Sequence, residues 1–398
     1  MARKSKPLPE KIDVAHLIST GVLAQTCPRS LIDEVLVETG RTSRRNRTLP
    51  APAVVYYVMA LALWREAPLE EVLRVVCEGL HWLGRDDGGV QATKSAISQA
   101  RTRLGADTMR RLAERVLAPV APPDLPGSWY RGLRVMAIDG SCFAVPDERA
   151  NADHFGYPGA SRGQSAFPQV RLVGLVECGT HAVTAAEIGP LGDSERALTQ
   201  RLLARPLDDN MLILADRGFY SFNLWQQVCA TGAKLAWRVP AHLKLPVETL
   251  LPDGSYLSTI YDSKDRGRRH GQTVRVIDYA LTDAAVPTDS RYRLITNILD
   301  VQEADALELA GVYHERWEIE GVFDEIKTHL HGASTVLRSK KPELVEQELW
   351  GLLLAHFAVR QLMAQAAWER GLDPDSLSFI HAVRVIKRKL PQAAVFPP

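Results

Sequence analysis

Two short aliphatic runs, each ending in an aspartate, constrain the fold of this chain more than any other sequence feature. Val-Met-Ala-Ile precedes Asp139, and Leu-Ile-Leu-Ala precedes Asp216. Such short runs, with turn-forming residues around them, are typical of buried strands. A carboxylate directly after a core strand lies at the sheet edge, where open α/β sheets gather ligands. For either aspartate alone, a simple turn-forming role is the competing interpretation.

The rest of the chain divides by its hydrophobic pattern. Before the proline-rich stretch 119–127, the apolar spacing of three and four is typical of helices, at 12–19, 29–39, 53–65, 68–79 and 93–103. After Asp216, short strand-like runs follow one another without long helices, and then a long helix is predicted over 304–330. The predicted parts are a helical N-terminal domain (1–125), an α/β domain in two pieces (126–232 and 300–342), a β-rich insertion (233–299) and a C-terminal helical segment (343–398).

Composition narrows the class of protein. With 48 Lys and Arg against 47 Asp and Glu and 46% hydrophobic residues, the chain is typical of soluble globular proteins. Five scattered cysteines without a C-x-x-C pair indicate neither a disulfide framework nor a cysteine-rich zinc site. The longest apolar runs fall well short of the ~20 residues that span a membrane, and the N-terminus lacks a signal-type apolar region. We therefore expect a cytoplasmic protein without a membrane partner.

Positive charge is concentrated locally although the net charge is close to zero. The stretch 41–47 holds four arginines in seven positions, and 264–269 and 384–389 are further basic clusters. Clusters of this kind could neutralise the phosphates of a nucleic acid. Solvated surface loops explain each cluster as well when it is taken alone.

The stretch 92–103 combines helical spacing with a polar, basic face. Lys94, Gln99 and Arg101 are side chains of the kind that reach base edges from a recognition helix in the major groove. The preceding helix and the glycine-containing stretch 84–89 complete a helix, turn and helix pattern. We therefore predict base recognition by Lys94, Gln99 and Arg101, with an ordinary amphipathic helix as the alternative.

A more specific pattern lies in the predicted helix 304–330. Tyr313, Arg316, Glu320 and Lys327 fall at about 0°, 300°, 340° and 320° around the axis at ~100° per residue, within one narrow strip. The strip offers a carboxylate for a metal, flanked by donors for phosphate oxygens. An exposed ladder of ion pairs without function is the alternative, and Asp324, one turn further on, is a competing acid.

Following two strand-end aspartates, this strip resembles the signature of bacterial cut-and-paste DDE transposases of the group named after insertion element four. The resemblance spans most of the chain and includes further matching segments: Asp139-Gly-Ser, Phe155-Gly, Phe167-Pro-Gln-Val-Arg-Leu-Val and Asp216-Arg-Gly-Phe-Tyr. It implies a ribonuclease-H-like catalytic domain, a mixed five-stranded sheet with helices on both sides. The long interval between Asp216 and Glu320 agrees with the β-rich insertion.

The resemblance also implies the chemistry. Asp139, Asp216 and Glu320 would be ligands of two Mg²⁺ ions, with Mn²⁺ as a substitute, because hard oxygen ligands suit these ions. Two such ions activate the attacking oxygen and stabilise the leaving oxygen in phosphoryl transfer. The other members of the strip would hold the DNA backbone near the scissile phosphate: Tyr313, Arg316 and Lys327.

The function implied is that of a transposase of a bacterial insertion sequence, acting in the cytoplasm on DNA of the nucleoid. It would bind the terminal inverted repeats of its element, form a homodimer in the synaptic complex, cleave both strands and join the 3′ ends to target DNA. Two other classes remain open. One is a catalytically idle, domesticated DNA-binding protein, and the other is a metal-dependent nuclease without strand transfer.

Tyr292 precedes the predicted catalytic helix in the stretch Arg291-Tyr-Arg-Leu-Ile-Thr. In related transposases with a β insertion, an aromatic residue at this place stacks on a flipped base while a DNA hairpin forms. The best-known relative has tryptophan where Tyr292 stands, and either ring can stack on a base. A cross-strand role in a sheet is the alternative for Tyr292.

Overall fold

The computed structural model describes residues 19–43, 49–82, 92–159, 165–203, 207–280, 291–330 and 336–395. The chain divides into two compact units. Unit 1 comprises residues 1–116, 347–359 and 378–398, and unit 2 comprises residues 117–346 and 360–377. The predicted helix 12–19, the turn 84–89 and Arg44 to Arg47 lie largely or wholly outside the described residues.

Unit 1 is helical in its described part, as the sequence predicts. Its helices are α1 (Ser19–Thr26), α2 (Arg29–Glu38), α3 (Ala51–Leu63), α4 (Leu69–Trp82), α5 (Lys94–Leu104), α6 (Ala106–Val116), α13 (Phe379–Val395) and the middle of α12 (Pro342–Trp368). Nearly all residues of α3 are buried, which makes it the centre of this unit. The Thr93 hydroxyl caps α5 by accepting a hydrogen bond from the amide of Ala96. None of the described helices is both long and apolar enough to cross a membrane.

Unit 2 contains one large mixed sheet. Its strands are β1 (Trp129–Tyr130), β2 (Leu133–Ala144), β3 (Gln169–Glu177), β4 (Ala182–Pro190), β5 (Met211–Ala215), β6 (Lys234–Arg238), β7 (Thr249–Leu250), β8 (Tyr256–Ile260), β9 (Gln272–Ala280) and β10 (Arg291–Thr296). The order across the sheet is β4-β3-β2-β5-β6-β10-β9-β8-β7, and β1 pairs with β2 at the side. Strand β5 runs parallel to β2 and β6, whereas β3 is antiparallel to β2 and β4. The first five strands in this order, β4, β3, β2, β5 and β6, form the mixed sheet expected of a ribonuclease-H-like domain. This fold class is confirmed.

Along the chain, the helices of unit 2 lie between the strands and after the last strand. They are α7 (Arg149–Phe155), α8 (Glu195–Leu202), α9 (Phe222–Cys229), α10 (Ala306–His314), α11 (Glu318–Asp324) and the two ends of α12. Ser194 and Ser221 cap α8 and α9 through their hydroxyls. Trp225 of α9 packs edge to face on Trp237 of β6, with ring centroids 5.4 Å apart. This pair lies in the core that the helices share with the sheet.

The insertion begins later than its predicted start at residue 233. Strand β6 (234–238) runs parallel to β5 and is therefore the fifth strand of the central sheet. Strand β10 then pairs antiparallel with β6, so the added strands β7 to β10 continue the same sheet. The insertion also contributes Tyr256, Ile260 and Val276 to the main core. Because β10 pairs with the outer edge of β6, the insertion and the central strands form one continuous sheet. Residues of both regions therefore pack into the same core.

The predicted single helix over 304–330 is divided into four segments. Helix α10 is followed by a 3₁₀ turn (Glu315–Trp317), α11 and a π-helical segment (Glu325–Leu330). Asp305 begins α10 by accepting hydrogen bonds from the amides of Leu307 and Glu308. The assumption of ~100° per residue is therefore wrong at both ends of the strip, since 3₁₀ and π turns rotate the chain differently.

Candidate active site

The two aspartates that follow the aliphatic runs lie side by side. Ile138 of β2 pairs with Ala215 of β5 in a parallel register, and each is followed directly by an aspartate. Asp139 and Asp216 therefore lie next to each other on neighbouring strands, at the edge of the sheet where β5 ends. The prediction that both aspartates end a strand holds for Asp216 and is corrected for Asp139, because β2 continues past Asp139 to Ala144 along β3. The amide of Gly140 donates a 2.7 Å hydrogen bond to Asp139 Oδ1 and orients this carboxylate.

Arg316 links the helix to this edge. Its Nη1 lies 3.4 Å from Asp139 Oδ2, and its Nη2 lies 3.7 Å from Glu320 Oε1. The guanidinium is almost fully buried, with 6% of the side chain exposed, and it also lies over the rings of Tyr313 and Trp317. One cation thus contacts a carboxylate from the sheet and a carboxylate from the helix.

The electrostatics of this edge come from closely spaced acids in partial burial. Burial raises the pKa of Asp139 to about 6, the Gly140 amide and Arg316 oppose the rise, and the charges of Glu195 and Asp216 add to it. Arg238 of β6 approaches Asp216 Oδ1 at 3.6 Å. The acids at this edge therefore repel one another and are only partly compensated by arginines.

Two buried oxygens at this edge have no hydrogen bond from the part of the chain that the structure describes. They are Asp216 Oδ1 and the hydroxyl of Tyr313. Burial also raises the pKa of Tyr313. A buried polar atom without a partner costs free energy, so such atoms point to a ligand. The donor set at this edge, carboxylate oxygens, suits a hard divalent cation.

Asp324 and Lys327 follow Glu320 along the helix, and their side chains have different neighbours. The Lys327 ammonium lies 5.3 Å from the centroid of the Phe143 ring, beyond Asp139 on β2, and burial lowers the pKa of Lys327. Asp324 accepts a 2.6 Å hydrogen bond from the Thr328 hydroxyl and lies 3.5 Å from His329 on its own helix. Glu320, rather than Asp324, is the acid that shares an arginine with Asp139.

Tyr292 lies in a row of side chains beside this edge. Its ring stacks on Tyr279 of β9 at 5.2 Å between centroids, and the Arg238 guanidinium lies over it at 4.4 Å. These groups, with Arg217 and Arg293, line a cleft of about 490 Å³. Tyr292 is thus a cross-strand partner in the sheet, and it also borders a cationic, aromatic cleft next to Asp216.

The three side chains of α5 that are predicted to recognise bases do not lie on the same face of the helix. Lys94 and Gln99 are exposed. Arg101 is only 6% exposed, and its Nε donates a 2.8 Å hydrogen bond to Gln347 Oε1 within unit 1. The prediction that Arg101 faces DNA is therefore corrected. Arg101 follows Ile97 by four residues and precedes Leu104 by three, which places it on the buried face.

A buried network that the sequence pattern does not indicate lies on another face of the catalytic helix. Arg360 of α12 pairs with Glu325, and its Nη2 lies 2.5 Å from His181 Nδ1, while His181 Nε2 lies 2.6 Å from a carboxylate oxygen of Glu318. Asp375 Oδ1 lies 3.3 Å from His181 Nε2. Ligand atoms of His181, Glu318 and Asp375 lie within 4.8 Å of one another, as in metal sites. Burial opposes protonation of His181, but its hydrogen bonds with Glu318 and Glu325 raise its pKa above the ordinary value. His181 thus connects α12 to the helix that carries Glu320.

Glu195 is a second residue that the sequence analysis missed. It lies in the first turn of α8, and its carboxylate lies against Gly140 and close to Gly218. Strand β4 runs in the same direction as β2, because both are antiparallel to β3. The helix after β4 therefore begins at the edge that carries Asp139, and this topology is the signal that could have found Glu195.

Family models and curated relatives identify the family of this chain. Residues 17–114 match the family described as insertion element 4 transposase N-terminal, and residues 130–358 match the transposase DDE domain. The chain is 32% identical over 367 residues to the transposase InsG for insertion sequence element IS4 of Escherichia coli K12, covering 90% of this chain and 80% of that protein. It is 29% identical over 235 residues to the putative transposase InsZ of the same organism, covering 58% of this chain and 75% of that protein. A piggyBac transposase synaptic complex with hairpin DNA has a TM-score of 0.47 and 11% identity, covering 96% of this chain and 82% of that chain.

Proposed function

Because the chain belongs to the insertion element 4 family of DDE transposases, we propose that it binds the terminal inverted repeats of its own element, cleaves the DNA and joins the 3′ ends to target DNA. The observation that carries the proposal is the contact of Arg316 with both Asp139 and Glu320, beside Asp216. This contact joins a carboxylate of strand β2 to a carboxylate of helix α11, although the two residues are distant in sequence.

The proposed metal ligands are Asp139, Asp216 and Glu320, which would hold two Mg²⁺ ions, with Mn²⁺ as a substitute. The carboxylate donor set supports this assignment, as does the buried Oδ1 of Asp216, which accepts no hydrogen bond from the described residues. When bound, the ions supply activation of the attacking oxygen and stabilisation of the leaving oxygen. The chain itself orients Asp139 through the Gly140 amide and restrains Glu320 through Arg316.

Three further side chains would hold the DNA near the scissile phosphate. Arg316 offers a buried guanidinium, whose planar fork of N–H donors matches phosphate oxygens in geometry. The half-buried ammonium of Lys327 offers a second cation further along β2. The Tyr313 hydroxyl is a donor for an oxygen of the backbone, since it has no partner in the described part of the chain.

Recognition of the element's ends is assigned to the exposed face of α5. Lys94 and Gln99 lie there with Ser95, Ser98 and Arg103, which are also exposed. Polar side chains of this kind hydrogen-bond to base edges in the major groove. Non-specific affinity would come from the basic clusters, including Arg44 and Arg45.

The turn between β8 and β9 is a further basic surface. Lys264, Arg266, Arg268 and Arg269 are all exposed there, and Asp265 accepts 2.8 Å hydrogen bonds from two amides within the turn. Those hydrogen bonds hold the turn in one shape, with its cations facing solvent. Contacts of such cations with phosphates release counterions, so they would add affinity that falls with salt.

Tyr292 is proposed to stack on a base that leaves the duplex when a DNA hairpin forms. The cleft beside Asp216 supports this role, since it is aromatic and cationic. Tyr279 and Arg238 already cover the Tyr292 ring, so a base would have to displace the Arg238 guanidinium. The contact of Arg238 with Tyr292 would be exchanged in this step, since the displaced guanidinium would be free to meet the phosphate of that nucleotide.

A homodimer is the assembly proposed for the synaptic complex, in the bacterial cytoplasm on nucleoid DNA. The test is to incubate the purified chain with its own labelled element ends, a target plasmid and Mg²⁺. Band shifts, cleavage and joined products are expected together. Binding without cleavage would indicate an idle DNA-binding protein, and cleavage without joining would indicate a nuclease.

A further inference from the structure

The first turn of α8 places a fourth carboxylate between β2 at Gly140 and the loop that follows Asp216. A Cβ atom built on Gly140 would lie 2.5 Å from Glu195 Oε1, and one built on Gly218 would lie 4.0 Å from Glu195 Oε2. Gly140 follows Asp139 directly, and Gly218 comes two residues after Asp216. The absence of a side chain at Gly140 is therefore what admits the Glu195 carboxylate to this edge of the sheet.

The position of Glu195 is fixed by its surroundings. Ser194 caps α8 at the same edge through a hydrogen bond from the amide of Ala197. Arg196 donates a 2.9 Å hydrogen bond from Nε to the carbonyl oxygen of Gly218, which ties the first turn of α8 to the loop after Asp216. Glu195 thus lies between Gly140, which β2 holds in the sheet, and the loop after Asp216, which Arg196 ties to α8.

The charge at this edge is unbalanced. Four carboxylates, from Asp139, Asp216, Glu320 and Glu195, face the guanidiniums of Arg316 and Arg238. The Glu195 carboxylate has no hydrogen bond or ion pair with any residue in the part of the chain described, although it is partly buried. A carboxylate held in this way, beside others of the same charge, is stabilised by a cation.

We propose that Glu195 is a fourth carboxylate ligand of the active-site divalent cations, acting directly or through a bound water. The inference rests on the proposed function, since it adds a ligand to the site of Asp139 and Asp216. Gly140 then has two roles, because its amide orients Asp139 and its missing side chain leaves room for Glu195. Removal of even an outer partner of a metal ligand typically weakens metal binding by about 10- to 100-fold.

The test measures Mn²⁺ binding to the full-length chain without DNA, from the electron paramagnetic resonance signal of the free ion. Glu195→Gln keeps the size of the side chain and is expected to weaken Mn²⁺ binding at least about tenfold. Glu187→Gln is the matched control, since it removes one partly buried carboxylate of unit 2 that lies beside Arg201. The Mg²⁺ concentration for half-maximal cleavage is expected to rise in Glu195→Gln and to stay unchanged in Glu187→Gln.

A double-mutant cycle tests the contact itself. Gly140→Ala has to displace Glu195, so it should weaken Mn²⁺ binding in the wild-type background and have no further effect in a Glu195→Ala background. Wild-type affinity in Glu195→Gln, with binding lost in Asp139→Asn, would overturn the role of Glu195 and leave the proposed function standing. Unchanged binding in Asp139→Asn and Asp216→Asn would instead overturn the proposed metal site, and the inference with it.

Discussion

Arg360→Met is expected to destabilise unit 2 strongly because it leaves a buried charge without its partner. The side chains of Arg360 and Glu325 are 3% and 10% exposed, and the pair is joined through both carboxylate oxygens. Removing one member of a buried pair typically costs ~3–5 kcal/mol, because the other charge stays buried and uncompensated. Replacing both members by apolar residues is often close to neutral. The double variant Arg360→Met/Glu325→Met should therefore recover most of the loss.

Urea unfolding of the full chain, followed by tryptophan fluorescence, measures this cycle. The single variant should lose about 3–5 kcal/mol of unfolding free energy, and the cycle should show a coupling energy of several kcal/mol. The stable double variant should bind element ends normally and cleave them more slowly, because Glu325 begins the π segment that carries Lys327. A single variant that loses less than about 1 kcal/mol, or a double variant as unstable as the single, would refute the reasoning.

Three further predictions concern other parts of the chain. Burial raises the pKa of Asp375 to about 6, above the ~3.9 of an unfolded aspartate, so its ionised form destabilises the fold. Asp375→Asn should raise the melting temperature at pH 8, and the gain should vanish between pH 6 and pH 4; an equal gain at all these pH values would contradict this. Lys94→Ala and Gln99→Ala should each reduce the preference for specific over scrambled ends by ~1–3 kcal/mol, as measured by gel shift, and unchanged ratios would remove α5 as the recognition helix. Tyr292→Ala should nick labelled ends without forming hairpins, whereas wild-type hairpin yield would count against base stacking.

Much of the fold follows from local sequence patterns. The aliphatic runs before Asp139 and Asp216 become β2 and β5, because uninterrupted apolar residues are buried on both faces of a parallel pair. The Ser194 cap and the apolar spacing after it predict α8 in nearly its observed place. What could not be predicted is the assignment of β6, since membership of a sheet depends on pairing across the chain.

Some residues of the candidate site could be predicted from the sequence, and others could not. The resemblance supplied Asp139, Asp216 and Glu320, and the contacts of Arg316 agree with it. Glu195 and the network around His181 depend on tertiary contacts, such as those between His181 and residues more than 130 positions away. The hydrophobic periodicity of the sequence gives no information about contacts between residues so far apart in the chain. For Arg101, in contrast, periodicity predicts the correct position, because its spacing from apolar neighbours places it on the buried face of α5.

The most direct test of the account is cleavage of the element's own end DNA by Asp139→Asn, Asp216→Asn and Glu320→Gln, each compared with Asp324→Asn. The account predicts that the first three variants bind the ends with wild-type affinity and produce no cleaved or joined DNA with Mg²⁺ or Mn²⁺, while Asp324→Asn remains active. Normal cleavage by Glu320→Gln together with an inactive Asp324→Asn would contradict the assignment of the helix carboxylate that contacts Arg316.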